Sequence, residues 1–291
     1  MDAAELIKKV RKIEIKTRRS CSLLFSGEYH SAFKGQGMSF SEVREYQPGD
    51  DIRSIDWNVS ARLNHTYVKV FEEERELNVV LMVDASRSSF FGTTHQLKQD
   101  LMMEICALLS YSAAGNHDKI SLMFFTDKVE KFLPPVKGHS QVLRIVRELI
   151  NFTPASAGTD LAEALHFLNN MMKHRSVVFI LSDFMSADYE EVLMIAARKH
   201  DVICVHVHDA REREIPDVGI LPVRDAESGE RLLLDTSSRA ARSDYRNQFE
   251  QYQHYFNSAC SRSGCDTVTI RTGDDYISKL MTLFRQRAKR V

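Results

Sequence analysis

The chain has 291 residues, 43% of them hydrophobic and 27% charged, with a formal net charge of −1. That length holds one large domain, or a domain with a smaller attached piece. The near-neutral balance argues against a nucleic-acid or anionic-lipid surface, and no apolar run reaches the roughly 18–20 residues of a membrane span.

Residues 1–20 carry seven Lys/Arg against three Asp/Glu and open on Met1-Asp2, so no secretory signal is expected. Within them, 6–20 form a basic, weakly periodic segment predicted to be helical. Residues 26–65 change character: Gly27, Gly35, Gly37, Pro48 and Gly49 sit among polar side chains, with Trp57 the single tryptophan. Gln47-Pro48-Gly49-Asp50-Asp51 reads as a turn, since proline presets φ and glycine accepts positive φ. The β-branched and aromatic run over 66–71 predicts a strand.

From Asn78 strands and helices alternate. Val79–Val83 is a continuous apolar run closed by Asp84, the pattern of a strand buried on both faces. Leu97, Leu101, Ile105 and Leu108 then recur at helical spacing. Ile120–Phe125 predicts the next strand, and Val129–Leu133 a short one stopped by Pro134-Pro135. Val142, Ile145, Val146 and Leu149 mark a helix over 139–150; Leu161, Leu165, Leu168 and Met172 mark another. Val177–Leu181 is a second fully apolar strand, closed by Ser182-Asp183. A helix over 189–199, a strand over 202–207 and a hairpin over 217–235 turning at Ser228-Gly229 follow. A long helix over 239–262, a strand over 267–270 and a helix over 275–289 complete the pattern. Such alternation requires βαβ crossovers. The expected fold is therefore α/β: a mostly parallel, doubly wound (Rossmann-like) sheet covered on both faces. From Lys279 on, the chain carries five basic residues and no acid. This end and the basic start read as solvated faces or as docking patches for an acidic surface.

The five cysteines, Cys21, Cys106, Cys204, Cys260 and Cys265, are odd in number and none forms a CxxC pair. With Cys106 and Cys204 inside apolar runs, they imply small buried side chains in a reducing compartment, and the cytoplasm as the location.

Ligands of open α/β sheets bind beyond the carboxyl ends of the strands. Asp84-x-Ser86-x-Ser88 follows the first apolar strand, Ser182-Asp183 follows the later one, and Gly158-Thr159-Asp160 precedes a helix. If the two strands are neighbours, Asp84 and Asp183 emerge on one edge, with Thr159 close by. Two carboxylates and three hydroxyls make a hard, all-oxygen set suited to Mg²⁺ or Mn²⁺. So few anionic ligands leave positive charge on the ion, which can accept a carboxylate from another molecule without any bond being broken. Each residue also has a plainer role. Ser86 or Ser88 suits a helix cap, Thr159 or Asp160 suits the next cap with Glu163 closing a capping box, and Asp183 suits a strand end.

Asp84-x-Ser86-x-Ser88, Gly158-Thr159-Asp160-Leu161 and Leu181-Ser182-Asp183 together resemble the metal-ion-dependent adhesion site of von Willebrand factor A domains. The resemblance implies that Asp84, Ser86, Ser88, Thr159 and Asp183 are the five ligands. Upstream, Gly35-Gln36-Gly37-Met38-Ser39-Phe40, Arg44-Glu45-Tyr46, Pro48-Gly49-Asp50-Asp51-Ile52-Arg53, Ile55-Asp56-Trp57, Ser60-Ala61-Arg62 and Glu74-Arg75 resemble the signature of the domain-of-unknown-function 58 family. In that family the signature precedes a von Willebrand A-like domain. The resemblance covers nearly the whole chain. It implies an N-terminal extension over 1–75, a von Willebrand A-like domain over 76–291, and a non-enzymatic adaptor or co-chaperone. The implied partner is a MoxR-type AAA+ ATPase or its client, whose carboxylate completes the metal shell. Many relatives carry N-terminal membrane helices, and none is expected here. Where adhesion sites often carry a Met after the second Ser, this chain has Ser89 and then Phe90-Phe91, a change in the contact surface rather than in the ligands. Asp50, Asp51, Arg53, Asp56, Arg62 and Arg75 are expected to pin the upstream segment to the main domain by ion pairs, with Trp57 as apolar anchor. The other reading of this segment is a docking face for the ATPase.

The rival function is a Mg-dependent phosphatase or other hydrolase using Asp84. Haloacid-dehalogenase-type phosphatases carry a second acid two residues on, where this chain has Ser86. No GxxxxGK[ST] loop, no strand-borne GxGxxG and no GxSxG elbow is present. His206-x-His208 is the one histidine pair with ligand-like spacing, and it lacks a third ligand.

Overall fold

The described residues fall into two units of structure, one within Phe33–Leu77 and one within Asn78–Val291. The computed structural model describes residues 39–63, 65–72, 76–93, 96–224 and 229–290. The predicted helix over 6–20, the Gly35–Met38 string, Glu74, Arg75 and Ser228 lie outside them.

In the first unit the strand predicted over 66–71 pairs antiparallel, as β2 (Tyr67–Glu72), with β1 (Ser39–Glu45). The predicted turn follows β1: Gly49 has φ +112°, and the Asp50 N–H donates to the Gln47 carbonyl at 3.0 Å. The Arg44 guanidinium grips the Asp50 carboxylate through two nitrogens at 2.7 and 2.8 Å. Asp51 accepts from the Arg53 N–H at 3.0 Å. Asp56 accepts from the Asn58 N–H at 3.0 Å at the start of α1 (Trp57–Leu63), with Lys69 3.5 Å away. Asp50, Asp51 and Asp56 thus bond to groups of their own unit. Trp57, expected as an apolar anchor, is 68% exposed. It opens a seven-residue helix with no fully buried position.

The second unit is built on the apolar runs. Its first elements are β3 (Asn78–Asp84), α2 (Lys98–Gly115), β4 (Lys119–Phe125), β5 (Val129–Lys137), α3 (His139–Asn151) and α4 (Leu161–Met171). They are followed by β6 (Val177–Ser182), α5 (Glu190–Lys199), β7 (Asp201–His208) and the four-residue α6 (Ala210–Arg213). The hairpin β8 (Ile220–Arg224) and β9 (Arg231–Asp235), α7 (Arg239–Ser263), β10 (Asp266–Arg271) and α8 (Tyr276–Ala288) complete it. Six strands form one sheet in the order β10-β7-β6-β3-β4-β5, parallel throughout except for β5. The chain winds from β3 outward through β4 and β5, then crosses back to β6, β7 and β10. This is the doubly wound α/β fold expected from the alternation.

Residues from β3, β6 and β7 are buried on both faces, which is why their sequences read as unbroken apolar runs. Val80, Met82, Val178, Ile180 and Cys204 join a core with Leu161, Leu165 and Leu168 of α4, Leu193 of α5 and Phe256 of α7. Phe179 points the other way, its ring edge-on to that of Phe284 in α8 at 6.5 Å.

The prolines do not stop β5, contrary to the end at Leu133 that the sequence pattern predicts. The strand continues through Pro134-Pro135 to Lys137, and the register steps from Leu122↔Leu133 to Ile120↔Val136 across them. Proline lacks a ladder donor, so it is confined to an edge strand or a bulge. β5 provides both, and the Pro134 carbonyl accepts from Gln141 Nε2 at 3.1 Å. Phe179, fully buried at the sheet centre, tests the packing. Phe179→Ala is expected to lower unfolding free energy by about 3–5 kcal/mol, read as a lower urea midpoint.

Candidate functional site

β3 pairs in parallel with β6 in the register Val83↔Leu181, so Asp84 ends its strand beside Ser182, with Asp183 next along. Winding reverses between β3 and β6, the crevice where open sheets bind ligands. The Asp84 carboxylate is 1% exposed. Its Oδ1 accepts from the Ser86 N–H at 2.9 Å, and its Oδ2 accepts from the Ser182 hydroxyl at 2.6 Å. The Ser86 and Ser88 hydroxyl oxygens lie 3.0 Å apart, and Ser88 donates to Asp183 Oδ2 at 2.7 Å. Four of the five candidate ligands, Asp84, Ser86, Ser88 and Asp183, therefore form one hydrogen-bonded chain.

Local geometry explains this convergence. A 3₁₀ turn over Arg87–Phe90 reverses the chain directly after Ser86, and the Ser89 hydroxyl donates back to the Asp84 carbonyl at 2.9 Å. Ser86 holds the cap position of that turn without making a side-chain cap bond, which leaves its hydroxyl to the cluster. After β6, Phe184 adopts φ +54°, an uncommon left-handed conformation for a bulky residue. Its N–H donates to Ser182 Oγ at 3.0 Å, and the Met185 N–H donates to Asp183 Oδ1 at 3.2 Å.

Thr159 arrives on a separate loop. The Arg87 N–H donates to the Ala157 carbonyl at 3.2 Å, and the Asp160 N–H donates to the Thr126 carbonyl at 2.9 Å. These bonds hold 157–160 beside the Ser86–Ser88 turn and the end of β4. Asp160 caps α4 by accepting from the Glu163 N–H at 2.9 Å, the plainer role foreseen for it.

Two charged residues escaped the sequence reading. Lys98 is 1% exposed, and its Nζ lies 2.8 Å from Asp183 Oδ2 while also pairing with Glu212 Oε1. Glu212 Oε2 accepts from the Asp209 N–H at 2.7 Å. A signal for Lys98 existed. Positions 98, 101, 105 and 108 share one helical face, so the lysine heads the apolar stripe and Leu97 is the cap residue before it. Nothing comparable marks Glu212.

Burial, and then the like charge of Asp183, raise the Asp84 carboxyl to about 6, against the opposing bonds from Ser182 and Ser86. Burial also pushes Asp183 upward, but the Lys98 ammonium and the Ser88 hydroxyl outweigh it and hold that carboxyl below its ordinary range. At neutral pH both carboxylates are ionised, and one of them already faces a cation.

The donor set fits a hard divalent ion. It consists of oxygens only, two of the side chains are carboxylates, and the hydroxyls converge on them. Among the described residues no group of three or more His, Cys, Asp or Glu has metal-holding geometry, so the hydroxyls are essential to this reading. His206 and His208 stack at 5.1 Å and pack against Phe256 and Phe249. Burial lowers them to about 3 and about 4, which suits neutral rings filling the core.

Known proteins match both the chain and this architecture. The family described as "Protein of unknown function DUF58" matches residues 42–255. An uncharacterized protein of Mycobacterium tuberculosis is 28% identical over 293 aligned positions, covering 99% of this chain and 92% of its own length. The crystal structure of an aerotolerance-related membrane protein from Bacteroides fragilis superposes with a TM-score of 0.50 at 12% identity. It covers 74% of this chain and 100% of that one, a likeness of fold alone. The SpRpn10 VWA domain matches more distantly, with a TM-score of 0.38 at 12% identity, over 75% of this chain and 96% of that one.

Ser182→Ala removes the 2.6 Å bond that stabilises ionised Asp84, so the Asp84 carboxyl moves above about 6 in carboxyl ¹³C NMR titrations. A carboxyl raised on folding weakens stability as pH climbs through its folded value. The variant is therefore expected to lose about 1–3 kcal/mol at pH 7.5 and less at pH 5, measured by urea unfolding.

Proposed function

The chain belongs to the DUF58 family of proteins of unknown function, and on that premise we propose that its Asn78–Val291 unit is a non-enzymatic, metal-dependent protein-interaction module. The observation carrying this reading is the convergence of Asp84, Ser86, Ser88 and Asp183 at the switch point of the sheet. These residues would hold Mg²⁺ or Mn²⁺, with Thr159 contributed by the adjoining loop. When bound, the ion supplies a coordination position that a carboxylate of another protein can fill. Asp84 and Ser86 are buried, whereas Ser88 and Thr159 are half-buried, so a partner approaches from the Ser88–Thr159 side.

The surroundings suit a protein partner. A cleft of about 610 Å³ adjoins the Ser86–Ser88 turn, with Arg87, Phe90, Ala157 and Arg224 among its lining residues. Phe90 and Phe91 are 43% and 40% exposed, and together with two guanidinium groups they favour a surface that is both apolar and acidic. The family resemblance implies that this partner is a MoxR-type AAA+ ATPase or its client, with the chain as adaptor or co-chaperone in the cytoplasm. Phosphatase chemistry is the weaker reading. Asp84 is buried, both its oxygens are engaged, and Ser86 stands where a second acid is needed.

Mg²⁺ or Mn²⁺ is expected to raise the melting temperature by several degrees, because free metal at a hundredfold excess over Kd stabilises by about 2.7 kcal/mol. Asp84→Ala abolishes the shift, and a wild-type protein indifferent to both ions would sink the metal reading. Asp84 holds a proton below about pH 6 in the metal-free protein and must release it to act as a ligand. The shift is therefore full at pH 7.5 and fades as pH falls through about 6. Co-purification with the ATPase should be lost on adding chelator. Aryl-phosphate turnover that vanishes in Asp84→Asn would favour the hydrolase instead.

A further inference from the structure

Lys98 is the one fully buried ammonium among the described residues, and it stands against the candidate site. Its position is built rather than incidental. The Lys98 N–H donates to the Phe91 carbonyl at 3.0 Å, fixing the first turn of α2 behind the Ser86–Ser88 turn. Gly92 allows this fold-back, since a Cβ there would meet the Gln96 carbonyl oxygen at 2.8 Å and the Leu97 Cα at 2.9 Å. From that anchor the side chain reaches Asp183 on one side and Glu212 on the other. Asp183 Oδ2 receives both the Lys98 ammonium at 2.8 Å and the Ser88 hydroxyl at 2.7 Å. Each buried carboxylate oxygen accepts about two hydrogen bonds, so this oxygen is saturated by groups of the chain itself.

We infer that Lys98 is a positioning residue that acts as the site's internal cation, shared between Asp183 and Glu212, and that it sets how strongly Asp183 can hold a divalent ion. This rests on the adhesion-site reading above and deepens it. The physics is competition for one carboxylate. Asp183 divides its charge between the fixed ammonium and any ion bound at the Asp84–Ser86–Ser88 oxygens, and those two cations repel one another at short range in a water-poor setting. Glu212 moderates the competition, because it draws the ammonium away from Asp183. Asp209 in turn holds Glu212: its N–H donates to Glu212 Oε2, and its own carboxylate accepts from Thr93 Oγ1 and Thr272 Oγ1, each at 2.6 Å. The same arrangement keeps the metal-free protein folded, since Lys98 neutralises carboxylates that would otherwise be buried together without a partner.

The two ends of this link predict opposite changes, which a merely structural role does not. Lys98→Met removes the rival cation while keeping an unbranched side chain only one heavy atom shorter. It is expected to melt lower than wild type in chelator, yet to bind Mg²⁺ and Mn²⁺ about 10–100-fold more tightly, the range over which groups around metal ligands tune affinity. Glu212→Gln leaves the ammonium wholly on Asp183 and is expected to bind both ions more weakly than wild type. Isothermal titration calorimetry with each chloride salt at pH 7.5, on the full chain, reads both, and thermal shifts with and without metal provide a second measure. If wild type binds metal and Lys98→Met binds it equally or more weakly, the inference is overturned while the adhesion reading stands. If only Lys98→Met binds, the inference stands and wild type is a site closed by its own lysine. Binding by neither overturns both. Should Lys98→Met not fold, Glu212→Gln decides alone, and affinity equal to or above wild type overturns the inference.

Discussion

The parallel pairing of β3 with β6 is the constraint on which the rest depends. Its register sets Val83 against Leu181, so two carboxylates that lie 99 positions apart in sequence leave the sheet at the same point. Neither strand can slip by one residue, because every side chain would then change faces and both apolar cores would be turned out. The hydrophobic effect therefore holds two like charges together that electrostatics alone would drive apart.

Everything around that edge answers the problem so created. Ser182, Ser86 and Ser88 supply hydroxyl and amide donors, and Lys98 supplies a positive charge. Buried charges persist only when compensated: every oxygen of Asp84 and Asp183 accepts a hydrogen bond, and Asp183 is also paired with Lys98. The network continues through Glu212 to Asp209, whose carboxylate bonds Thr93 after β3 and Thr272 after β10. The carboxyl ends of β3, β6, β7 and β10 are thus joined by one polar seam.

The smaller unit follows different rules. Its order comes from a bidentate Arg44–Asp50 pair, a proline–glycine turn and side-chain caps, with Val68 buried beside them. Trp57, the residue that composition alone singles out as an anchor, is exposed there. Large aromatic side chains are mostly buried in cores, so an exposed indole on a short helix marks a surface feature of this unit rather than its support.

The sequence by itself determined the alternation of elements, the parallel doubly wound class and the strand ends that matter. Those properties are local: an apolar run of five residues declares a doubly buried strand, and a 3.6-residue period declares a helix face. It also marked Asp84, Ser86, Ser88 and Asp183, since each stands at a strand end or in the turn beyond one. Tertiary structure alone decided that these groups meet, because neighbourhood in a sheet depends on strand order, which no local pattern encodes. It alone carried β5 past Pro134-Pro135, whose fate turned on β5 being an edge strand with room for a bulge. And it alone found Lys98 a place beside Asp183 and Glu212. A lysine at the head of an apolar stripe reads as the start of a solvated turn until the carboxylates that receive its charge are seen in three dimensions.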